Sequence, residues 1–231
     1  MMKNILLSFL LVMVGVCTLK AQDCMGFNMK AGSGFDMNSY DAKGKLITTM
    51  RYKIANVSNE AGAVVYTIDF ESVNSKGKSE MKNTYKMRCK GNTLSMDAKS
   101  LISSEQMKSL ESFQMKFTSD DIEYPAKLTV GEKLKDASLK GEGTSGPLAI
   151  TTNMLIFNRK VESQEKLTIP AGTFDAYKVT SDMTMESQMG MKIKLDFQTV
   201  SYRAPNILWD LKTESYRKGK LVGTTELSKI Y

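Results

Sequence analysis

Soft sulfur is the most conspicuous chemistry in this 231-residue chain, which holds 17 methionines, three cysteines and no histidine. Four methionines crowd into DMTMESQMGMKIKL, at 183, 185, 189 and 191. Three uses fit such a set. Thioethers fill irregular gaps in a packed core, and they also make an adaptable lining for an apolar guest such as a lipid chain. As soft ligands they select Cu(I); Met-x-Met spacing occurs here, but neither histidine nor dense Met clusters accompany it. If 187–190 turns a hairpin, Met183 and Met185 share one strand face. Met191, Ile193, Leu195 and Phe197 then share a face of the returning strand. Register would join the two sets into one apolar wall. Met183, Met185, Met191 and Ile193 are therefore candidate ligand-binding residues. Trp209, the single tryptophan, joins them: in APNILWDLK it either closes a pocket mouth or caps the core.

Other chemistry is thin. The absence of histidine excludes Ser-His-Asp and Cys-His catalysis and His-ligated metal sites. No GxSxG, GxxxxGK[ST] or GxGxxG motif occurs. GEGTSG at 141–146 is rich in glycine but lacks the strand-to-helix setting of a phosphate loop, so it reads as an ordinary loop. Asp120 and Asp121 are adjacent, with Glu123 nearby, and acid–base work is the chemistry to test. Adjacent strand residues point to opposite faces, so the pair reads as a solvated turn. Hydrolysis by two distant carboxylates has no specific support. The expectation is a non-enzymatic protein with no cofactor and no metal.

The start of the chain gives an address. MMKN is followed by ILLSFLLVMVGVCTL and KAQD: a basic start, an apolar run too short to span a bilayer, and an exit ending in Ala21. Residues 1–21 read as a secretory signal peptide, leaving 22–231 as one domain. Cys17 raises a lipoprotein reading, but the preceding Val16 is bulky where such sites want a small residue. No later segment is apolar enough to span a bilayer as a helix. Loss of Lys3 and Lys20 lowers the formal charge from +7 to +5. The remaining charge is scattered, and KMRCK at 86–90 is its densest basic cluster, which argues against nucleic-acid binding. Cys24 and Cys89 remain as an even pair, which in an exported protein favours a disulfide over two separate thiols. Closing a loop of about 65 residues stabilises by ~4 kcal/mol in the chain-entropy model.

Period-two alternation must position these residues. In LITTMRYKIANV, Leu46, Thr48, Met50, Tyr52, Ile54 and Asn56 share a face; in AVVYTIDFESV, Val64, Tyr66, Ile68 and Phe70 do. Further strands are expected at NTYKMRCK, TLSMDA, NMLIFNRKVESQEKLTI, FDAYKVTSDMTME, MKIKLDFQTVSYR, ILWDLKTESY and KLVGTTELSKI. Lys-Gly-Lys recurs in SYDAKGKL, VNSKGKSE and SYRKGKL, each time between two such runs, so it reads as a soluble hairpin corner. ISSEQMKSLESF, 102–113, is expected to be a short helix with Ser103 as its cap. It must pack on a sheet or plug one end of a barrel.

Three segments together, QDCMGFNMKAGSGFDMNSYDAKGKL, TIPAGTFDAYKV and LKTESYRKGKLVGTTELSKI, resemble the TapB-like family, a domain of unknown function in secreted proteins of Gram-negative bacteria. The likeness spans nearly all of the mature chain, and the corner Pro170-Ala171-Gly172-Thr173-Phe174 followed by Tyr177 is its most specific piece. It implies a mostly antiparallel, strongly curved sheet and no known activity. Where the family often has a glycine-rich step before its final Lys-x-Glu strand, this chain reads RAPNILWDLK.

These readings combine into a mainly β protein: a strongly curved antiparallel sheet or open barrel of about eight to ten strands with one short helix. It is expected to be exported to the periplasm or cell surface of a Gram-negative bacterium. The partner it suggests is an apolar small molecule or lipid. The alternative is an envelope protein that meets a fully packed interaction module.

Overall fold

The computed structural model describes residues 26, 29–102, 104–111 and 113–231. Thirteen strands form one antiparallel sheet. The first five are β1 (Gly34–Asp41), β2 (Leu46–Glu60), β3 (Ala63–Asn74), β4 (Ser79–Lys90) and β5 (Thr93–Met96). A 3-10 turn at Ala98–Leu101 and helix α1 (Ser104–Glu111) follow. Then come β6 (Lys116–Asp120), β7 (Ile122–Pro125), β8 (Ala137–Ser145), β9 (Leu148–Ile169), β10 (Gly172–Met189), β11 (Met191–Arg203), β12 (Lys212–Arg217) and β13 (Lys220–Ile230).

The order across the sheet is β6-β8-β9-β10-β11-β12-β13-β1-β2-β3-β4-β5-β7. Most neighbours are sequential hairpins, and β13 pairs with β1 to bring the two ends of the domain together. The sheet's two edges, β6 and β7, are consecutive in sequence with Asp121 alone between them. The sheet thus curls into a nearly closed barrel whose seam is crossed by the chain but not sealed by a ladder. Strand twist makes a flat sheet of this size unfavourable, and curling hides one apolar face.

The Lys-Gly-Lys corners are hairpin turns of two kinds. At Asp41 and Asn74, a side-chain oxygen accepts two backbone N–H bonds across the turn: Lys43 and Lys45 donate to Asp41, and Lys76 and Lys78 to Asn74. Gly44 and Gly77 follow with φ of 76° and 78°. In SYRKGKL the chain is one residue shorter and Arg217 pairs directly with Lys220. Lys218 and Gly219 then both take positive φ, 51° and 72°, the signature of a two-residue hairpin turn.

The apolar faces meet in a core at one end of the barrel. Tyr52 is its hub: its ring stacks on Phe35 at 4.6 Å and lies 5.1 Å from Phe70 and 5.3 Å from Trp209, with Tyr85 edge-on at 6.5 Å. Burial raises the Tyr52 and Tyr85 hydroxyls well above the ordinary phenol range, with the Asp210 carboxylate adding to the effect at Tyr52, so both stay neutral. Ile54, Ile68, Leu94, Leu208 and Leu211 are fully buried around them. A satellite cluster of Leu128, Leu134, Val161 and Val179 packs under the 126–136 connection.

Several expectations need correction. The described residues form thirteen strands rather than eight to ten, because β1, β6, β7 and β8 lie in stretches outside the expected runs. ILWDLKTESY is a strand only from Lys212. Residues 204–211 form an irregular plug, turned by Asn206 at φ 65°, that drops Leu208, Trp209 and Leu211 into the barrel. GEGTS is no loop but the second half of β8. The bare backbones of Gly141 and Gly143 let Phe113, Met115 and Phe117 cross it: a Cβ on Gly143 would sit 2.5 Å from the Phe113 carbonyl oxygen. Helix α1 is shorter than 102–113. Its expected cap Ser103 lies outside the described residues, as do residues 1–21, expected to be a signal peptide, and Cys24. Cys89 is buried on β4, and the Cys24–Cys89 bridge remains an expectation.

Candidate functional site

The other end of the barrel is open. Hairpin β10–β11 turns at Gly190, with Met189 opposite Met191, Ser187 opposite Ile193, Met185 opposite Leu195 and Met183 opposite Phe197. Directly paired residues share a face, so the methionines and their apolar partners form one continuous wall. On the far side of β10, Met185 faces Met154 and Met189 faces Ile150, and these in turn face Leu139 and Gly143 of β8. The wall curves through β8, β9, β10 and β11. Ile102, with Gln106 and Leu110 of α1, lies across it.

This wall encloses a cavity of about 700 Å³ that opens to solvent. Met154, Met185, Met189, Met191, Ile150 and Ile193 line it, with Phe113 and Met115. Its rim is poorly covered: Met191 is 77% exposed, Met189 60% and Ile193 56%. A smaller, more enclosed cavity of about 270 Å³ lies deeper, lined by Met87, Met96, Ile156, Val179, Met183 and Trp209. Leu101 borders both cavities. Met183 and Met185 are alternate residues of β10 on the same face, so the deeper cavity continues the line of the outer one.

The five residues singled out from sequence fall in two groups. Met185, Met191 and Ile193 line the outer cavity, and Met183 and Trp209 the inner one. Trp209 packs on Tyr52 and also borders the inner cavity. Glu123, Asp120 and Asp121 all lie near the Lys135 ammonium and together hold its pKa above the ordinary value, with the Glu123 hydrogen bond the largest cause. Asp120 accepts a hydrogen bond from Ser138, whereas Glu123 pairs with Lys135 at 2.8 Å. Among the described residues no three Cys, Asp or Glu side chains come together as a metal site.

Sequence reasoning missed a polar group at the floor of the inner cavity. Arg159, Arg203, Tyr124 and Asp210 all line it. The guanidinium carbons of Arg159 and Arg203 lie 4.6 and 3.8 Å from the centre of the Tyr124 ring. Arg203 donates to Asp210, whose other oxygen accepts from Thr213 at 3.3 Å. A bulge aims Arg159 inward. Phe157 pairs with Asp182 and Lys160 with Thr180, so between them two residues of β9, Asn158 and Arg159, stand opposite the single residue Ser181 of β10. Asn158 takes φ 52° there and donates to Asp182 at 2.8 Å. Strict alternation from Ile156 would send Arg159 outward; the extra residue reverses it. The signal in the sequence was the pair Asn158-Arg159, an αL-tolerant residue beside a cation in an otherwise apolar run.

With this geometry in place, the chain can be set beside known proteins. It belongs to the DUF3108-like family, whose model matches residues 30–227. This match is broader than the TapB-like resemblance and shows membership at the DUF3108-like level. A presumed lipoprotein from Parabacteroides distasonis ATCC 8503 shares the fold with a TM-score of 0.70 at 24% identity, over 89% of this chain and 97% of that one. A presumed exported protein with a YmcC-like fold from Bacteroides fragilis NCTC 9343 does so with a TM-score of 0.67 at 19% identity, over 89% and 98%. No curated protein matches the chain. No helix among the described residues is long and apolar enough to cross a membrane.

Proposed function

We propose that this DUF3108-like protein is an exported, non-enzymatic carrier or sensor that holds an apolar or amphipathic ligand, of lipid type, in the open end of its barrel. The observation that carries the reading is the outer cavity. Its 700 Å³ lies within the usual range of ligand pockets, and its lining is mostly thioether and aliphatic. Three large apolar side chains at its rim are more than half exposed. A monomer rarely leaves such a patch uncovered without a partner for it. Burial of a chain at about 0.8 kcal/mol per methylene supplies affinity with no covalent step. Methionine suits the task because its flexible side chain repacks around guests of different shape.

The export signal at residues 1–21 and the two solved neighbours, one presumed exported and one a presumed lipoprotein, support a location beyond the inner membrane. A fully packed interaction module is disfavoured by the cavity. The finer TapB-like assignment rests on the Pro170–Phe174 corner, which turns β9 into β10, the longest hairpin of the wall.

The test is native mass spectrometry of protein purified from its own host, followed by organic extraction. Adduct masses that vanish on extraction, and a lipid in the extract, support the reading. A bare mass in every preparation, with no quenching of Trp209 fluorescence by added amphiphiles, would sink it.

A further inference from the structure

The floor of the inner cavity carries more positive than negative charge, and this points to the head group of the ligand. Arg159 is 2% exposed and Arg203 7%. Both lie over one tyrosine ring, so their guanidinium carbons are at most about 8 Å apart. Asp210 is the one acid among the residues lining this cavity, and Arg203 takes it. Arg159 Nη1 donates to the backbone carbonyl of Lys135, a neutral acceptor. Arg159 Nη2 is buried and has no partner. A buried cation without a counter-anion is costly, because low-dielectric surroundings disfavour the charge. Because the bulge at Asn158 turns this side chain inward, its position follows from the local backbone and not from chance rotamer choice.

Resting on the reading of the barrel as a lipid-type carrier, we infer that the ligand is a single-chain amphiphile with a compact carboxylate head. The head pairs with Arg159, and the tail runs out along the methionine wall. A guanidinium whose Nη2 has no partner can donate a charge-assisted hydrogen bond to a carboxylate. The inner cavity, about 270 Å³, admits a small head but not the bulk of a two-chain phospholipid. From Ser181, beside the bulge, to Met189 at the rim is eight residues of strand, about 26 Å at 3.3 Å per residue. That span suits a long hydrocarbon tail.

The experiment compares palmitate, 1-hexadecanol and hexadecyl phosphate as competitors for a fluorescent apolar probe bound to the full mature protein. Palmitate is expected to bind at least tenfold more tightly than hexadecanol. Arg159→Gln should erase that difference by lowering palmitate affinity more than hexadecanol affinity, and Arg159→Lys should restore part of it. Asn158→Val, which disfavours the left-handed backbone at the bulge, should reduce the difference too, with Asn158→Gly retaining it. Equal affinity for palmitate and hexadecanol in the unaltered protein overturns the inference and leaves the carrier reading intact. Persistence of the difference in Arg159→Gln, with a native circular dichroism spectrum, overturns it as well. Hexadecyl phosphate binding tenfold better than palmitate would overturn the carboxylate assignment. If none of the three displaces the probe, the carrier reading falls with it.

Discussion

Gly143 offers a test in which two readings of one stretch differ in sign. If GEGTSG were a mobile loop, Gly143→Ala would reduce the freedom of the unfolded chain and stabilise the protein by about 0.4–1 kcal/mol. In the structure Gly143 lies in β8 opposite Ile150, and segment 113–115 crosses directly over it. A Cβ there would come within 2.5 Å of the Met115 sulfur and 2.5 Å of the Phe113 carbonyl oxygen. The thioether can swing aside, but the carbonyl belongs to the backbone. That same oxygen accepts the Thr144 N–H at 2.9 Å, so displacing it also loosens a hydrogen bond. Overpacking costs about 1–3 kcal/mol and a weakened hydrogen bond about 1 kcal/mol. The sum expected is destabilisation of about 3 kcal/mol, or a fall in Tm of roughly 6–12 °C for a chain of this size. Because Phe113 and Met115 line the outer cavity, probe affinity should fall too. Urea unfolding followed by far-UV circular dichroism reads the stability, and probe titration the affinity. Unchanged or raised stability would refute the strand placement and with it this wall of the cavity.

Three further outcomes follow from the same geometry. Arg203→Met should cost about 3 kcal/mol, the low end for breaking a buried pair, by leaving the partly buried Asp210 carboxylate without its cation, while Arg203→Met combined with Asp210→Leu should recover much of that in a double-mutant cycle read by urea unfolding. Met191→Asp and Ile193→Asp change side chains that are 77% and 56% exposed; Tm should move by no more than a degree or two while apolar-probe affinity drops at least tenfold, as read by fluorescence titration. The mature protein should lose two mass units when Cys24 and Cys89 oxidise, and reduction should lower Tm in keeping with the ~4 kcal/mol that closing a loop of this length provides; equal masses before and after reduction would exclude the bridge.

What the sequence made legible was periodicity and punctuation. Alternation in LITTMRYKIANV placed Tyr52 and Ile54 on one face, and both are buried on the inner side. Alternation placed the methionines of DMTMESQMGMKIKL on one face of each strand, but only the register that sets Met189 opposite Met191 across Gly190 joins the two faces into one wall; a slip of one residue would separate them. What stayed hidden depends on contacts distant in the chain. Glycine at 141 and 143 signals a loop locally, and only the crossing of Phe113–Met115 makes it a strand requirement. Arg159 was hidden by a single extra residue, since alternation counts residues and a bulge breaks the count. RAPNILWDLK reads as a strand with a proline before it, yet the buried Leu208 and Leu211 and the partly buried Trp209 hold it as a plug.

The unequal lengths of the strands explain why one end of the barrel is packed and the other is not. Strands β9 and β10 run 22 and 18 residues, whereas β12 has six. Strand β12 pairs with β11 only over Gln198–Tyr202. On the side away from β10, Met191–Phe197 therefore has no strand paired with it among the described residues. Lys192 and Lys194 mark this edge, each paired with an acid, Glu186 at 3.1 Å and Asp196 at 3.4 Å. Charged edges of this kind resist pairing with another chain. The aromatic end holds the tightly packed core, so the projecting hairpin contributes little to global stability and opens locally. Amides of Met191–Phe197 that face away from β10 should exchange with deuterium within seconds, while those of Tyr52, Ile54 and Ile68 exchange only on global unfolding. A bound amphiphile covering Met185, Met191 and Ile193 should slow exchange in the inward-bonded amides of this hairpin and leave the core unchanged. Protection confined to the Tyr52 cluster, with the hairpin unaffected by ligand, would mean the ligand binds elsewhere and that the uncovered methionines serve another purpose.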